Sequence, residues 1–158
     1  MAKTRLDRTD LRILAEIQRD GRMSIVELAR RVNLTKTPCA ERLRRLEGEG
    51  VITGYFARIE PKAVDAAHVV MVQVQLHATT AAALEAFNDA VRREPQIQSC
   101  HMVAGGFDYL LKVRTRDIDD YRRSLGEVIS RLPGVQQTHT YVVMETVKDE
   151  VTLPVPRP

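Results

Sequence analysis

Apolar positions in the first fifty residues recur at helical spacing, in three separate runs. Leu11, Leu14 and Ile17 mark one face of a first helix, with Asp7 as its N-cap and Gly21 just past its end. Ser24 and Glu27 form the capping-box pattern of a second helix, which buries Ile25, Leu28, Ala29 and Val32. After the break at Asn33-Leu34, Thr35 stands as N-cap of a third helix. Pro38 sits early in it, where a missing N–H costs least, and Gly48-Glu49-Gly50 ends it. Two helices joined by about three residues make the helix-turn-helix pattern. At about 100° per residue, Cys39, Leu43 and Leu46 share the core face of the third helix. Thr37, Glu41, Arg44 and Arg45 then point away from the core, as a reader of the DNA major groove requires.

The stretch from Val51 to Ile59 is β-branched and aromatic and reads as an extended strand closed by Pro61. We read residues 51–66 as a semi-rigid connector, because composition changes there without becoming Gly/Ser-rich. From His68 the period shortens to two. Val72 to Leu76 alternates as a strand, and a helix from about Thr80 to Arg93 turns Leu84, Phe87 and Val91 inward. Ile97 to Ala104 and Tyr109 to Thr115 are two further strands around the turn Gly105-Gly106. Asp117 caps a helix that buries Ile118, Tyr121, Leu125, Val128 and Leu132, and Val135 to Val147 is a long last strand. The order β-α-β-β-α-β is the ferredoxin-like arrangement.

The fold class is therefore α+β: a winged-helix-like helix-turn-helix domain over 1–50, the connector over 51–66, and a βαββαβ domain over 67–148. Residues 149–158 are Pro-rich and read as a frayed tail. Two helices can cover only one face of a four-stranded sheet. Yet Val69, Met71, Met102, Leu110 and Val143 have the opposite parity from the residues set against the helices, such as Val70, Val72, Leu111 and Val113. A large exposed apolar face is disfavoured in a monomer, so the free face predicts a second subunit, most simply in a twofold dimer.

Composition narrows the class. Of 158 residues, 44% are hydrophobic and 28% charged, as in a folded soluble protein. No apolar run approaches the ~18 residues of a membrane span, and the charged N-terminus is no secretory signal. Cys39 and Cys100 have no metal-ligand or disulfide spacing, which fits a reducing cytoplasm and calls for no cofactor. Without Trp and with seven Phe and Tyr, an aromatic platform for single-stranded nucleic acid is not expected.

The net charge of +3 says little until it is divided. Residues 1–60 hold 13 basic and 9 acidic side chains, whereas residues 61–158 hold 11 and 12. Between Arg30 and Arg45 six positive charges stand against Glu41 alone. That asymmetry predicts an N-terminal part that binds a polyanion. Arg44 and Arg45 are placed to reach guanine or phosphate, Thr37 a phosphate or base edge, with Glu41 beside them. Lys36 and one or other of Arg30 and Arg31 suit phosphate. The plainer alternative pairs Arg42 and Arg45 with Glu41, Glu47 or Glu49 on the surface.

In the second half, Gly105 and Gly106 would let backbone N–H groups approach a carboxylate, and Asp108 could accept from an α-ammonium. With Tyr109 they outline an amino-acid clamp, although a Gly-Gly turn between strands is more often simple hairpin chemistry.

Several motifs together carry a family resemblance. They are Leu6-Asp7-Arg8-Thr9-Asp10, Thr37 to Glu47, Gly54-Tyr55, Phe107 to Lys112, Leu132 to Val135 and Thr140 to Glu145. In this order, over about residues 6–148, the chain resembles the Lrp/AsnC family of bacterial transcriptional regulators, most of all its leucine-responsive branch. The resemblance implies a DNA-binding domain and a βαββαβ domain that assembles the oligomer (dimers that associate further, commonly into octamers) and senses an amino acid. It implies that the Gly105–Tyr109 loop lies at the effector site between subunits. Thr138 and Thr140, or else Val142 and Met144, would complete the pocket from a neighbour; the threonines are the expected pair.

Two features depart from the leucine-responsive pattern: His139 where Arg is usual, and Gly105-Gly106 where one Gly precedes an acidic residue. Leucine is therefore not assumed. An enzyme reading finds no nucleophile–base or metal spacing, although haem-biosynthetic decarboxylases resemble this fold. A stand-alone metabolite sensor would lack the reader helix.

Overall fold

The computed structural model describes residues 5–156, which form two compact units. The first holds residues 5–58 and 148–156, and the second holds 59–147. The boundary thus falls inside the expected connector, at Arg58, and residues 51–66 are not a segment of their own.

In the first unit, α1 (Arg8–Arg19), α2 (Ile25–Arg31) and α3 (Lys36–Gly48) enclose Ile13, Leu28, Ala29, Val32, Cys39 and Leu46. Ile13 is the fully buried apolar residue of α1, while Leu14 and Ile17 flank it half-buried. The Asp7 carboxylate accepts from the backbone N–H of Asp10, and the Asp10 side chain accepts from that of Asp7, a complete capping box. The box expected at α2 is only half made. Ser24 Oγ accepts from the Glu27 N–H at 3.2 Å, but the Glu27 carboxylate is taken by arginines.

The turn between α2 and α3 is set by Asn33, whose φ is +59°. That left-handed residue lets the N–H of Leu34 donate to the Ala29 carbonyl at 2.9 Å, and its own N–H donate to Arg30 at 3.4 Å. This is the Schellman closure, with asparagine in the place glycine usually takes. Gly50, at φ +69°, closes α3 in the same way, through Val51 to Leu46 and Gly50 to Glu47.

Beyond it the chain is extended but unpaired, so the strand expected over 51–59 has no ladder among the described residues. Val51 and Ile52 pack on the helical core. Tyr55 donates its hydroxyl to Glu47 Oε1 at 2.7 Å, and burial together with that acceptor pushes its pKa up to about 12. Phe56 is 90% exposed. The C-terminal tail is not frayed as expected: the Leu153 N–H donates to Gln18 Oε1 at 2.7 Å, and Gln18 Nε2 donates back to the Leu153 carbonyl at 3.1 Å.

In the second unit a 3-10 turn, Pro61–Val64, leads into β1 (His68–Leu76). There follow α4 (Ala81–Arg92), β2 (Ile97–Met102), β3 (Tyr109–Thr115), α5 (Ile118–Glu127) and β4 (Val135–Val142). Thr80 caps α4 and Asp117 caps α5 through their side chains. The four strands are antiparallel neighbours in the order β2-β3-β1-β4, which is the ferredoxin-like sheet.

Val70, Val72, Val74 and Leu76 of β1 and Tyr109, Leu111 and Val113 of β3 pack with Phe87, Val91, Tyr121, Ile129 and Leu132. Ile118 is 48% exposed rather than buried; a second 3-10 turn, Ile129–Arg131, brings Ile129 inward instead. β4 stops at Val142, short of the expected Val147, after which Met144 and Val147 are almost wholly exposed.

By the strand register, Val69, Met71, Leu110 and Val143 stand on the face that no helix of this unit covers, as expected. Met102 does not. It pairs with Tyr109, on the helix side, because a register shift between Ile97 and Ser99 inserts one residue and resets the parity of β2.

Asn33→Val would force a β-branched residue into the left-handed region and should cost about 1–2 kcal/mol. Asn33→Gly should be tolerated. Chemical denaturation of the two variants checks this, and equal losses would contradict the role of the turn.

Candidate nucleic-acid interface and effector loop

α3 is built with one buried stripe and one free stripe. Cys39 and Leu46 are fully buried, whereas Lys36, Thr37, Glu41 and Arg44 are exposed. Thr35 occupies the N-cap without a side-chain cap bond, unlike the caps of α1, α2, α4 and α5. The leading N–H groups of α3 are thus left to other acceptors, with Lys36 and Thr37 beside them.

Most of the local positive charge is already spoken for. Arg30 forms a two-pronged pair with Glu27, Nε to Oε2 at 2.9 Å and Nη2 to Oε1 at 2.7 Å. Arg31 reaches Glu27 at 2.7 Å and Glu16 of α1 at 3.0 Å. The two guanidiniums hold Glu27 down at about 2. Arg30 and Arg31, expected to meet phosphate, are paired within the chain, with their side chains still 73% and 41% exposed.

Arg45 does not point away from the core side as expected. Its Nη2 donates to Asp10 Oδ2 at 2.6 Å, and Arg42 Nη1 donates to Asp10 Oδ1 at 2.8 Å and to Asp7 Oδ2 at 2.6 Å. The Asp10 side chain is 1% exposed. Burial pushes its pKa up, but the Asp7 N–H and the Arg45 and Arg42 guanidiniums outweigh that and hold it below the ordinary value. Pairing had been an alternative for Arg42 and Arg45, but the acids are those of α1, not Glu41, Glu47 or Glu49. Lys36 and Arg44 have no acidic partner among the described residues.

The expected effector residues are not gathered into one pocket within this unit. Gly105 and Gly106 are exposed, and a Cβ at either would meet nothing within 4 Å. Gly50 and Gly134 are the glycines with positive φ among the described residues, so Gly105-Gly106 is not the left-handed two-residue hairpin turn. Asp108 is committed to the fold: its Oδ2 accepts from the Leu76 N–H at 2.7 Å and its N–H donates to the Val74 carbonyl.

Tyr109 turns inward, stacked on Phe87 with ring centroids 4.4 Å apart, and is core rather than ligand contact. Thr138 and Thr140 lie opposite Val74 and Val72, on the helix-covered side. The Thr140 hydroxyl is paired with that of Tyr121 at 2.6 Å. Parity does not separate the threonines from Val142 and Met144, since all four are even positions; Gln137, His139 and Tyr141 lie on the uncovered face.

A three-helix unit with Lys36 and Arg44 exposed on its third helix, in one chain with a ferredoxin-like sheet, is the architecture of a helix-turn-helix regulator. Residues 6–53 match the winged helix-turn-helix DNA-binding domain, and residues 69–153 match the Lrp/AsnC ligand binding domain. The chain is 52% identical over 144 residues to the proline dehydrogenase transcriptional activator of Rhizobium radiobacter, covering 91% of this chain and 92% of that one. It is 53% identical over 143 residues to the leucine-responsive regulatory protein of Escherichia coli K12, covering 90% and 87%. A transcriptional regulator of Neisseria meningitidis, solved as a complex with L-Met, superposes with a TM-score of 0.89 at 32% identity over 95% of this chain and 97% of that one. The chain belongs to the Lrp/AsnC family of transcriptional regulators. Among the described residues no helix is long and apolar enough to cross a membrane, and no three metal-binding side chains cluster.

Because the folded-state pKa of Asp10 lies below its unfolded value of about 3.9, its contribution to stability is present above that pH and lost as pH falls through the folded value. The first unit should therefore lose stability on acidification below about pH 4. Acid titrations followed by far-UV circular dichroism should show Asp10→Asn to be less stable at neutral pH and flatter over the acid range. Parallel curves for the two proteins would refute the linkage.

Proposed function

We propose that the chain binds double-stranded DNA with Lys36, Thr37, Glu41 and Arg44 of α3. The observation that carries this is Arg44, an exposed guanidinium with no acidic partner among the described residues, on the stripe opposite Cys39 and Leu46. Such a side chain is available to guanine or phosphate at no cost in broken ion pairs. Lys36 and the uncapped N-terminus of α3 suit phosphate. Arg30, Arg31 and Arg45 contact DNA only if their carboxylates let go.

The second unit is the sensor. The family match and the L-Met complex of the Neisseria regulator support an amino acid as effector, and the two relatives named above support control of amino-acid metabolism genes. The Gly105-Gly106 N–H groups and the unspent oxygen of Asp108 are the groups that would bind its ends, in a pocket completed by a neighbouring subunit. The uncovered sheet face, with Met71, Leu110 and Val143, supplies the apolar surface for a dimer, and dimers build a higher assembly, an octamer in this proposal. The effector would shift the oligomer between states that differ in DNA affinity, in the cytoplasm, as activator or repressor according to the promoter.

Arg44→Ala should weaken specific DNA binding about 10- to 100-fold with thermal stability unchanged, the size of one good base contact. Arg45→Ala should chiefly lower stability. Gel-shift titrations at fixed salt, paired with thermal melts, distinguish the two, and undiminished affinity in Arg44→Ala would remove α3 as reader. For the sensor, a thermal-shift screen against each common amino acid should yield at least one hit that is lost in Asp108→Ala. That variant should also melt earlier, because the Leu76 N–H loses its acceptor. Full effector affinity in Asp108→Ala, measured by calorimetry, would exclude the loop.

A further inference from the structure

The Asp10 carboxylate is where α1 and α3 are joined. It is 1% exposed and accepts three hydrogen bonds, from the Asp7 N–H, Arg42 and Arg45. The two arginines occupy successive turns of α3, so they fix both its distance from α1 and its rotation about its own axis. The same helix carries Thr37, Glu41 and Arg44 on its free side, and a base contact tolerates little rotation. A buried carboxylate that loses its charge leaves Arg45 without its acceptor and Arg42 with Asp7 alone. The Arg42 and Arg45 side chains are 33% and 41% exposed, within reach of solvent and of a polyanion.

We propose that Asp10 is a specificity-determining residue for DNA recognition that touches no DNA: it sets the rotation of α3 and withholds Arg45 from phosphate, sharing Arg42 with Asp7. Asp10 thereby acts on two quantities in opposite directions. It raises affinity for the correct sequence by orienting Arg44. It lowers affinity for arbitrary sequence by keeping the Arg45 cation occupied, since non-specific binding follows the number of phosphates neutralised. A role confined to stability would lower both affinities together, in proportion to the folded fraction.

This inference rests on α3 being the reader. The test uses the full-length chain and a randomised duplex library. Duplexes selected by the wild-type protein and the unselected library are each titrated across a salt series with wild type, Asp10→Asn and Arg45→Gln. Circular dichroism melts on the same samples fix a temperature at which all three are folded.

The expected result for Asp10→Asn is a fall of about tenfold or more in the ratio of selected to unselected affinity. Its affinity for the unselected library should be equal or higher, and the salt slope steeper by up to about 1 per reader, for the released Arg45. Arg45→Gln, which removes one donor and keeps the Asp10 charge, should lose part of the ratio with no steeper slope. If Asp10→Asn does not fold, that partial loss in Arg45→Gln carries the test, and an unchanged ratio there overturns the proposal. It is also overturned if Asp10→Asn keeps the wild-type ratio, or if both affinities fall together. A wild-type protein that enriches no sequence, or an Arg44→Ala variant that enriches the same sequences equally well, would remove the reader assignment itself and this inference with it.

Discussion

A single buried carboxylate decides how the DNA-binding unit is put together. Asp10 begins as a local feature, the third helical residue of α1, paired with Asp7 in a capping box. Its remaining acceptor capacity goes to Arg42 and Arg45, more than thirty residues later. Burying such a charge is costly unless it is paired and hydrogen-bonded, and here it is both. The apolar core around Ile13, Leu28 and Leu46 brings the helices together. The ion pairs add direction to that packing, because a guanidinium and a carboxylate meet well in few geometries.

That arrangement changes what the basic stretch means. Six positive charges between Arg30 and Arg45 look like an electrostatic footprint for nucleic acid. Four of them are held by Asp7, Asp10, Glu16 and Glu27, leaving Lys36 and Arg44 on the exposed side of α3. Arg31, Arg42 and Arg45 tie helices together, Arg30 pairs within its own helix, and Lys36 and Arg44 are the two of the six without an acidic partner among the described residues. A reader with few available cations gains affinity by acting in multiples, which agrees with a chain whose other unit has an uncovered apolar sheet face.

The elements were legible in the sequence because each carries its own local signals. Asp7, Ser24 and Asp117 cap the helices they were expected to cap, and the alternation of Val70, Val72 and Val74 marks the buried side of β1. What was not legible depends on distant partners. Arg45 lies on a shoulder of its helix, and phase alone cannot say that an acid from α1 waits there. One inserted residue at Gln98 inverts the parity that placed Met102 on the open face. Tyr109 follows a loop that suggested a ligand, yet the strand beginning at that residue turns it into the core. The D-x-x-D spacing of Asp7 and Asp10 was the one available hint of the cluster, since two acids at a helix start suit a capping box.

The Schellman closure at Asn33 and Leu34 has a consequence for how such a protein can change. The angle between α2 and α3 is set by backbone hydrogen bonds and one left-handed residue, with the Asp10 cluster behind. Lys36, Thr37, Glu41 and Arg44 make none of the hydrogen bonds or ion pairs that hold the helices. Scaffold and recognition surface are therefore written in different residues. The four outward positions can drift, or be redesigned, through many combinations while the frame that presents them stays the same, so one architecture can be turned to many operator sequences.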